Sequence, residues 1–96
     1  MPKTRTRRWD PAKHLRNQAD MTAYLNAALS DGDPSVIAAV LGDIARAKGM
    51  TGIARKAGLG RESLYKSLSP QGHPEFATVL KIVHALGLRL TAAHQR

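Results

Sequence analysis

Apolar residues recur three and four residues apart along most of this chain, which is the spacing of one helix face. With Asp20 as N-cap, the first stripe predicts a helix that ends near Ser30 and carries Met21, Tyr24, Leu25, Ala28 and Leu29. A second helix is predicted to begin at Pro34 behind an Asp33 cap and to end near Gly49, burying Val36, Ile37, Val40, Leu41 and Ile44. The two stripes indicate a pair of helices packed through aliphatic faces.

The middle of the chain predicts two short helices joined by a tight turn. Thr51 is expected to cap a third helix that runs through Ala57. The segment Gly58-Leu59-Gly60 then interrupts it before a fourth helix, which covers Arg61 to Leu68. Residues 69–74 are dense in turn formers and are predicted to be a loop.

The C-terminal part predicts one more helix and a strand. The helix extends from Glu75 to Gly87 and carries Phe76, Val79, Leu80, Ile82, Val83 and Leu86. The segment Leu88–Ala92 then alternates apolar and polar residues, as a short strand does, and its partner is expected to be residues 5–9 or the same strand of a second subunit. The predicted fold class is therefore all-α, with five helices and a short C-terminal β-strand.

Length and composition agree with one small helical domain. The 96 residues are too few for two domains, and 43% hydrophobic but only 4% aromatic residues favour an aliphatic helix-on-helix core. We divide the chain into a basic arm with an extended segment, residues 1–19, and a folded domain, residues 20–96. The lack of Cys excludes disulfides and thiolate zinc sites, and no apolar run reaches the length of a membrane span, so we expect a cytoplasmic protein.

The charge is strongly basic and unevenly distributed. The formal net charge is +8, made up of +4 in residues 1–9, −3 in residues 10–43 and +7 in residues 44–96. An acidic polymer, first of all nucleic acid, is the partner that such a charge favours. The acidic middle suggests a second face with a different partner, although short chains also acquire uneven charge by chance.

The third and fourth predicted helices follow the logic of a helix-turn-helix motif. Ala54 is small where the two helices must approach closely, and Gly58 supplies the positive φ of the turn. The inward positions are Ile53, Ala57, Leu59 and Leu64. Gly60 stands where such motifs often have a Ser or Thr cap, and Ser67 stands where an apolar residue is usual, with Leu68 beside it as a substitute.

A helix of this kind fits the major groove of DNA, where its first side chains reach base edges. Arg61 suits a guanine edge and Glu62 a cytosine amino group, whereas Arg55 and Lys56 suit phosphates. The full set of expected DNA-binding residues is Thr51, Arg55, Lys56, Arg61, Glu62, Ser63, Tyr65 and Lys66. The competing interpretation is an ordinary corner of two helices whose basic residues are only solvated.

Other chemistry finds little support in the sequence. The four histidines are scattered without ligand spacing, and no catalytic triad, phosphate-binding glycine loop or close carboxylate pair stands out. We therefore predict no enzyme, no metal and no cofactor. Trp9 is expected to pack against the domain more readily than to stack on a base, and Tyr24 is expected to lie in the core.

Several ordered segments together resemble one known family. The segments are Trp9–Leu15, Ala28–Pro34, Leu41–Met50, Arg61–Pro70 and Phe76–Leu90. They are similar to the probable addiction-module antidote proteins, which are HigA-like helix-turn-helix antitoxins related in fold to lambda-repressor-like domains. The resemblance implies a DNA-binding antitoxin, a small RelE/ParE-like toxin as partner, and repression of the operon that encodes both.

Two further partner predictions follow from this. One short recognition helix contacts few base pairs, so we expect a homodimer on double-stranded operator DNA. A basic toxin is expected to dock on the acidic middle, through Trp9, Asp20, Asp31 and Asp43. The alternatives are a free-standing phage-type repressor without a toxin and a small RNA-binding module, the latter disfavoured by the scarcity of aromatic residues.

Overall fold

A computed structural model describes residues 11–95, and all regular secondary structure in this part of the chain is helical. A 3₁₀ turn, Pro11–His14, is followed by five helices: α1 (Gln18–Asp31), α2 (Pro34–Lys48), α3 (Met50–Ala57), α4 (Arg61–Ser67) and α5 (Phe76–Ala85). The all-α class and the five helices are confirmed. None of these helices is long and apolar enough to cross a membrane.

The start of α1 differs from the prediction. Asn17, and not Asp20, is the N-cap, and its side-chain oxygen accepts a hydrogen bond of 2.9 Å from the Asp20 backbone N–H. The Asp20 carboxylate accepts from the backbone N–H of Arg16 at 3.0 Å and from the Arg16 guanidinium at 3.3 Å. These bonds, the backbone one first, lower the pKa of Asp20. Asn and Asp are both good caps, so the local sequence left two starting points open.

The turn between α1 and α2 has the predicted chemistry. Gly32 ends α1 with a φ of 82°, and the Asp33 carboxylate accepts a 2.9 Å hydrogen bond from the Ser35 backbone N–H, one residue after Pro34. The Asp33 cap is confirmed. Towards the tip of this hairpin the apolar stripes leave the core, since Leu29 is 38% and Val36 40% exposed.

The core is aliphatic and lies where α2, α4 and α5 meet. Its most deeply buried side chains are Leu41, Ile44, Leu64, Ile82, Val83 and Leu86, and no polar or charged residue among the described ones is buried. Phe76, predicted to face the core, is 68% exposed at the first position of α5. Periodicity identifies the inward face of a helix, but it does not show where the neighbouring elements cease to cover that face.

One side chain ties the beginning of the described chain to its end. The Gln18 amide nitrogen donates to the backbone carbonyls of Leu86, at 3.1 Å, and Gly87, at 3.0 Å. Its amide oxygen accepts from the Lys48 ammonium at 3.1 Å. Gln18 thereby joins the start of α1 to the ends of α2 and α5, and it satisfies carbonyls that a helix C-terminus leaves unpaired.

The predicted C-terminal strand over Leu88–Ala92 is absent, which corrects that part of the fold prediction. Residues 88–95 have no regular secondary structure, and no residue between 11 and 95 forms a ladder with them. Leu88 and Leu90 pack half-buried against the core, and the Leu88 N–H donates to the Val83 carbonyl at 3.1 Å. An extended but irregular segment that lies on a core also turns alternate side chains inward, so its apolar and polar residues alternate as they do in a strand. The alternative partner, residues 5–9, lies outside the described residues.

A single glycine joins α2 to α3. Gly49 has a φ of 105° and serves both as the C-cap of α2 and as the N-cap of α3. Thr51 therefore lies inside the first turn of α3, and the prediction that it caps this helix is wrong. The N-cap of α3 is two residues earlier than predicted, because Met50 is already helical and is buried in the core.

The turn between α3 and α4 sets the relative position of the two short helices. Gly58 is left-handed, with φ 72° and ψ 29°, and the Leu59 N–H donates to the Ala54 carbonyl at 2.9 Å. Ile53, Ala54 and Leu64 are buried on the facing sides, as predicted. Leu68 is also buried while Ser67 is only partly so, which confirms Leu68 as the apolar substitute.

This turn generates a matched test on two glycines. Gly58→Ala places a Cβ at φ 72°, and we expect it to lower the free energy of unfolding by about 1–2 kcal/mol. Gly52→Ala lies within α3, where a Cβ meets nothing within 4 Å, and we expect it to raise the free energy by about 0.5–1 kcal/mol. Urea unfolding followed by circular dichroism measures both. Equal effects of the two substitutions contradict the assigned turn.

Candidate nucleic-acid interface

The short helix α4 presents one polar face to solvent and anchors it from behind. Leu64 has no exposed surface, and Leu68 closes the helix against the core. The predicted residues of this helix are all on the exposed side: Arg61, Glu62, Ser63, Tyr65 and Lys66. A helix with a buried apolar anchor and a free polar face has the form required to enter a groove of another molecule.

Arg61 and Tyr65 interact with each other, one turn apart on α4. The Arg61 guanidinium carbon lies 5.5 Å from the centre of the Tyr65 ring, and Nη2 of Arg61 donates to the Tyr65 hydroxyl at 3.4 Å. The stacked ring restricts the rotamers of a long side chain, while most guanidinium donors stay available. The two exposed side chains therefore form one preorganised unit at the start of α4.

The basic residues of α3 lie beside this face. Thr51, Arg55 and Lys56 are all exposed, and α3 packs against α4 through its opposite side. Arg55 and Lys56 occupy the last turn of α3, immediately before the Gly58 turn. The eight residues predicted to bind DNA thus all lie at the surface of two adjoining helices.

A polar cleft that the sequence analysis missed adjoins the end of α4. It measures about 500 Å³, and its polar lining residues are Ser63, Lys66, Ser67, Ser69, Gln71 and His73, although carbon atoms make up the larger part of its surface. Hydroxyl, amide, imidazole and ammonium groups of these kinds suit an anionic group, in particular a phosphate. The signal in the sequence was the density of serine and histidine around a segment that we described only as a loop.

Gly72 allows this loop to fold closely against α4. A Cβ at this position would lie 2.5 Å from the Lys66 carbonyl oxygen and 2.6 Å from that of Ser67. Both atoms belong to the backbone, so they cannot move aside as a flexible side chain would. The cleft therefore depends on a glycine at residue 72.

The acids predicted to bind the toxin do not form one surface. Asp20 and Asp31 stand near opposite ends of α1, roughly 16 Å apart along its axis. Asp20 is paired with Arg16, whereas Asp31 is exposed. Trp9 lies outside the described residues. The negative charges of the middle segment are therefore dispersed, and part of them is offset locally.

Asp43 is engaged inside the fold. Its carboxylate accepts a 2.6 Å hydrogen bond from the Tyr24 hydroxyl and forms a 2.5 Å ion pair with Arg46. Burial, and then the bond to Asp43, raise the pKa of Tyr24 to about 12. Tyr24 is half-buried against the core, in agreement with its predicted place. Its hydroxyl needs a hydrogen-bond partner there, and Asp43 is that partner.

No group of three or more metal-ligating side chains occurs among residues 11–95. The exposed polar side chains of α3 and α4, with the polar cleft, are the candidate binding surface in this part of the chain.

Comparison with known proteins places the chain in a family. A family model described as "Probable addiction module antidote protein" matches residues 5–94. A protein of Haemophilus influenzae described only as "Uncharacterized protein" is 46% identical over 88 residues, which cover 92% of this chain and 91% of the relative. No solved structure matches the chain.

The Tyr24–Asp43 bond predicts a specific dependence of stability on alkaline pH. The pKa of Tyr24 in the folded protein, about 12, lies above its ordinary value of 10.0. The stabilisation that the Tyr24–Asp43 bond gives is therefore complete below pH 10 and is lost as the pH rises to about 12. The free energy of unfolding of the wild type should therefore fall more steeply over this interval than that of Tyr24→Phe. The phenolate absorbance of Tyr24 is obtained by subtracting the titration of Tyr24→Phe from that of the wild type, and its midpoint should lie near pH 12. A midpoint near pH 10 contradicts the hydrogen bond.

Proposed function

The chain belongs to the family of probable addiction module antidote proteins, and from this membership we propose a DNA-binding antitoxin that neutralises a small toxin by direct binding and represses its own operon. The observation that carries the DNA-binding half is the anchored polar face of α4. This face, with α3 before it, has the form of a lambda-repressor-like helix-turn-helix motif. Operator binding places the protein in the cytoplasm.

In this proposal α4 lies in the major groove. Arg61, at the N-terminal end of the helix, donates in bidentate fashion to a guanine edge, and Glu62 accepts from a cytosine amino group. Tyr65 holds the Arg61 guanidinium by stacking before DNA arrives, which lowers the conformational entropy lost on binding. Lys66 and Ser63, which line the polar cleft, contact the backbone farther along the groove.

Phosphate contacts fix the position of the helix in the groove. Thr51, Arg55 and Lys56 on α3 are exposed beside α4 and suit one strand, while the polar cleft suits a phosphate at the other end of α4. The charge of +7 over residues 44–96 adds long-range attraction that salt screens. Base contacts and phosphate contacts then come from different side chains, which permits a direct test.

For the toxin we propose a RelE/ParE-like partner with a basic surface. A basic protein is attracted to acidic groups that carry no local counter-charge. Among the acids predicted for this role, Asp31 is exposed, while Asp20 and Asp43 are paired with Arg16 and Arg46. Asp31 is thus the strongest of the four predicted toxin contacts, and Trp9 stays a proposed one.

The division between base and phosphate contacts predicts different behaviour for Arg61→Ala and Lys56→Ala. On the DNA upstream of its own gene, Arg61→Ala should cost about 1–3 kcal/mol and relax the preference at one base position. Lys56→Ala should weaken all sequences about equally and reduce the salt slope of log K by about 1. Fluorescence anisotropy with operator and scrambled duplexes, at several salt concentrations, separates the two effects.

Lys81→Ala, an exposed cation on α5 outside the proposed interface, is the matched control for loss of charge. If Arg61→Ala weakens operator and scrambled DNA by the same factor, Arg61 contacts a phosphate and the assigned orientation of α4 is wrong.

The length of α4 leads to a prediction about stoichiometry. Its seven residues span roughly 10 Å, so one copy reads only a few base pairs, and we propose a two-fold dimer on an inverted repeat. Footprinting should show two half-sites about 10 base pairs apart, or a multiple of that. Inserting about 5 base pairs, half a helical turn, between them should abolish tight binding. Binding of one chain to a single unrepeated site is the opposing result.

A further inference from the structure

An apolar groove lies between the first half of α2 and the start of α5. It encloses about 270 Å³ and is lined by Pro34, Ile37, Leu41, Leu68, Pro74 and Val79. No lysine, arginine, aspartate or glutamate is among the residues that line it. The groove therefore suits an apolar side chain, whereas the polar cleft beside α4 suits an anion.

The groove continues into one exposed apolar side chain. Four large hydrophobic residues are exposed in the described chain, of which Tyr65 is stacked with Arg61. Phe76 stands between the groove residues Pro74 and Val79, and it lies one helical turn before Val79 on the same side of α5. Val36 and Leu29 do not line the groove, and Val36 lies on the side of α2 opposite to Pro34, Ile37 and Leu41. Phe76 is 68% exposed at the head of a helix, a state for which the fold itself gives no reason.

Three exposed acids surround this apolar region. Asp33 directly precedes Pro34, Glu75 directly follows Pro74, and Asp31 lies two residues before Asp33. Neither Asp20 nor Asp43 is comparable, because each has an arginine beside it. The protein has a net charge of +8, so the acids around this apolar groove make it a region whose local charge is opposite to that of the whole chain.

We propose that this groove with its acidic rim is the surface that receives the toxin. The partner chemistry is a basic protein surface that inserts an apolar side chain between α2 and α5 and places its cations on Asp31, Asp33 and Glu75. This inference rests on the proposed antitoxin function and replaces the dispersed acidic middle by one compact site. An apolar anchor in a pocket, with charges at the rim, is the usual arrangement of a strong protein interface.

The acidic rim also decides against a second copy of this chain as the occupant. A two-fold dimer through this region would place the same patch on both sides of the interface. The acidic rim of Asp31, Asp33 and Glu75 would then face an identical acidic rim, and like charges across an interface are repulsive. A partner of opposite charge satisfies both the groove and its rim.

The test uses the full chain and the small protein encoded beside its gene. Phe76→Asn removes the exposed apolar anchor beside the groove, and we expect toxin affinity to fall about tenfold or more, mainly through faster dissociation. Asp31→Asn with Glu75→Gln should slow association severalfold in low salt, and the effect should vanish in high salt. Biolayer interferometry at two salt concentrations gives both rate constants.

Two controls show that the variants are folded and specific. The conservative variants Phe76→Leu and Asp31→Glu with Glu75→Asp should retain toxin binding. All four variants should keep the thermal unfolding midpoint and the operator affinity of the wild type, since their side chains are exposed and lie outside α3 and α4.

The outcomes separate this inference from the proposed function. If the wild type does not bind the neighbouring protein, the antitoxin assignment itself fails. If the wild type binds and Phe76→Asn binds equally well, the toxin docks elsewhere and the inference is overturned. It is also overturned if this variant converts a free dimer to monomers in sedimentation, or shifts the emission of Trp9, the one tryptophan, before toxin is added. Those results assign the groove to a second copy or to residues 1–10.

Discussion

The proposed interface depends on the complete burial of Leu64. An isolated helix of seven residues is unstable in water, because nucleation consumes more conformational entropy than so few hydrogen bonds return. Leu64 and Leu68 compensate by entering the core beside Ile44 and Ile82, so that α4 exists only as part of the fold. Its outer face then needs no intrinsic helix propensity, and polar side chains suited to recognition occupy it.

The rest of the molecule supports this one short helix from several directions. The Gly58 turn sets its angle to α3, and the loop containing Gly72 folds onto its last carbonyls. The helices α2, α3 and α5 all contribute to the aliphatic cluster that contains Leu64. Because the core contains no buried polar group among the described residues, its stability derives from apolar burial and close packing, whereas specificity is left to the surface.

The sequence predicted those features that local chemistry determines. Asp33 before Pro34, Gly58 in a left-handed turn and the buried face of α2 follow from the residues within a few positions of each. At the start of α1 the prediction named Asp20 as the N-cap, whereas Asn17, an equally good cap three residues earlier, has that role. The Thr51 cap failed similarly, because Gly49 already performs that function.

Features that depend on distant residues were not predictable. The exposure of Phe76, the place of Asp43 between Tyr24 and Arg46, and the missing strand all depend on which element covers which. The exposure of the candidate DNA-binding residues was easier to predict, since two short helices joined by a tight turn fix the faces of these residues within about twenty positions. The apolar groove arises from segments far apart in sequence, so periodicity carries no sign of it. The polar cleft lies within residues 63–74, where the signal was the residue types of a loop and not their periodicity.

The hydrogen bonds of Gln18 also have a consequence for the order of folding. They join positions 68 and 69 residues apart, whereas the α3–α4 motif closes within some twenty residues. Closing a long loop is entropically more costly than closing a short one, so the local motif can form before α1 attaches. In the folded protein, the element that attaches last is expected to detach first. Detachment of α1 with its Gln18 contacts is then an opening that leaves α3 and α4 together, and we expect amide exchange in α1 to be independent of exchange in α4.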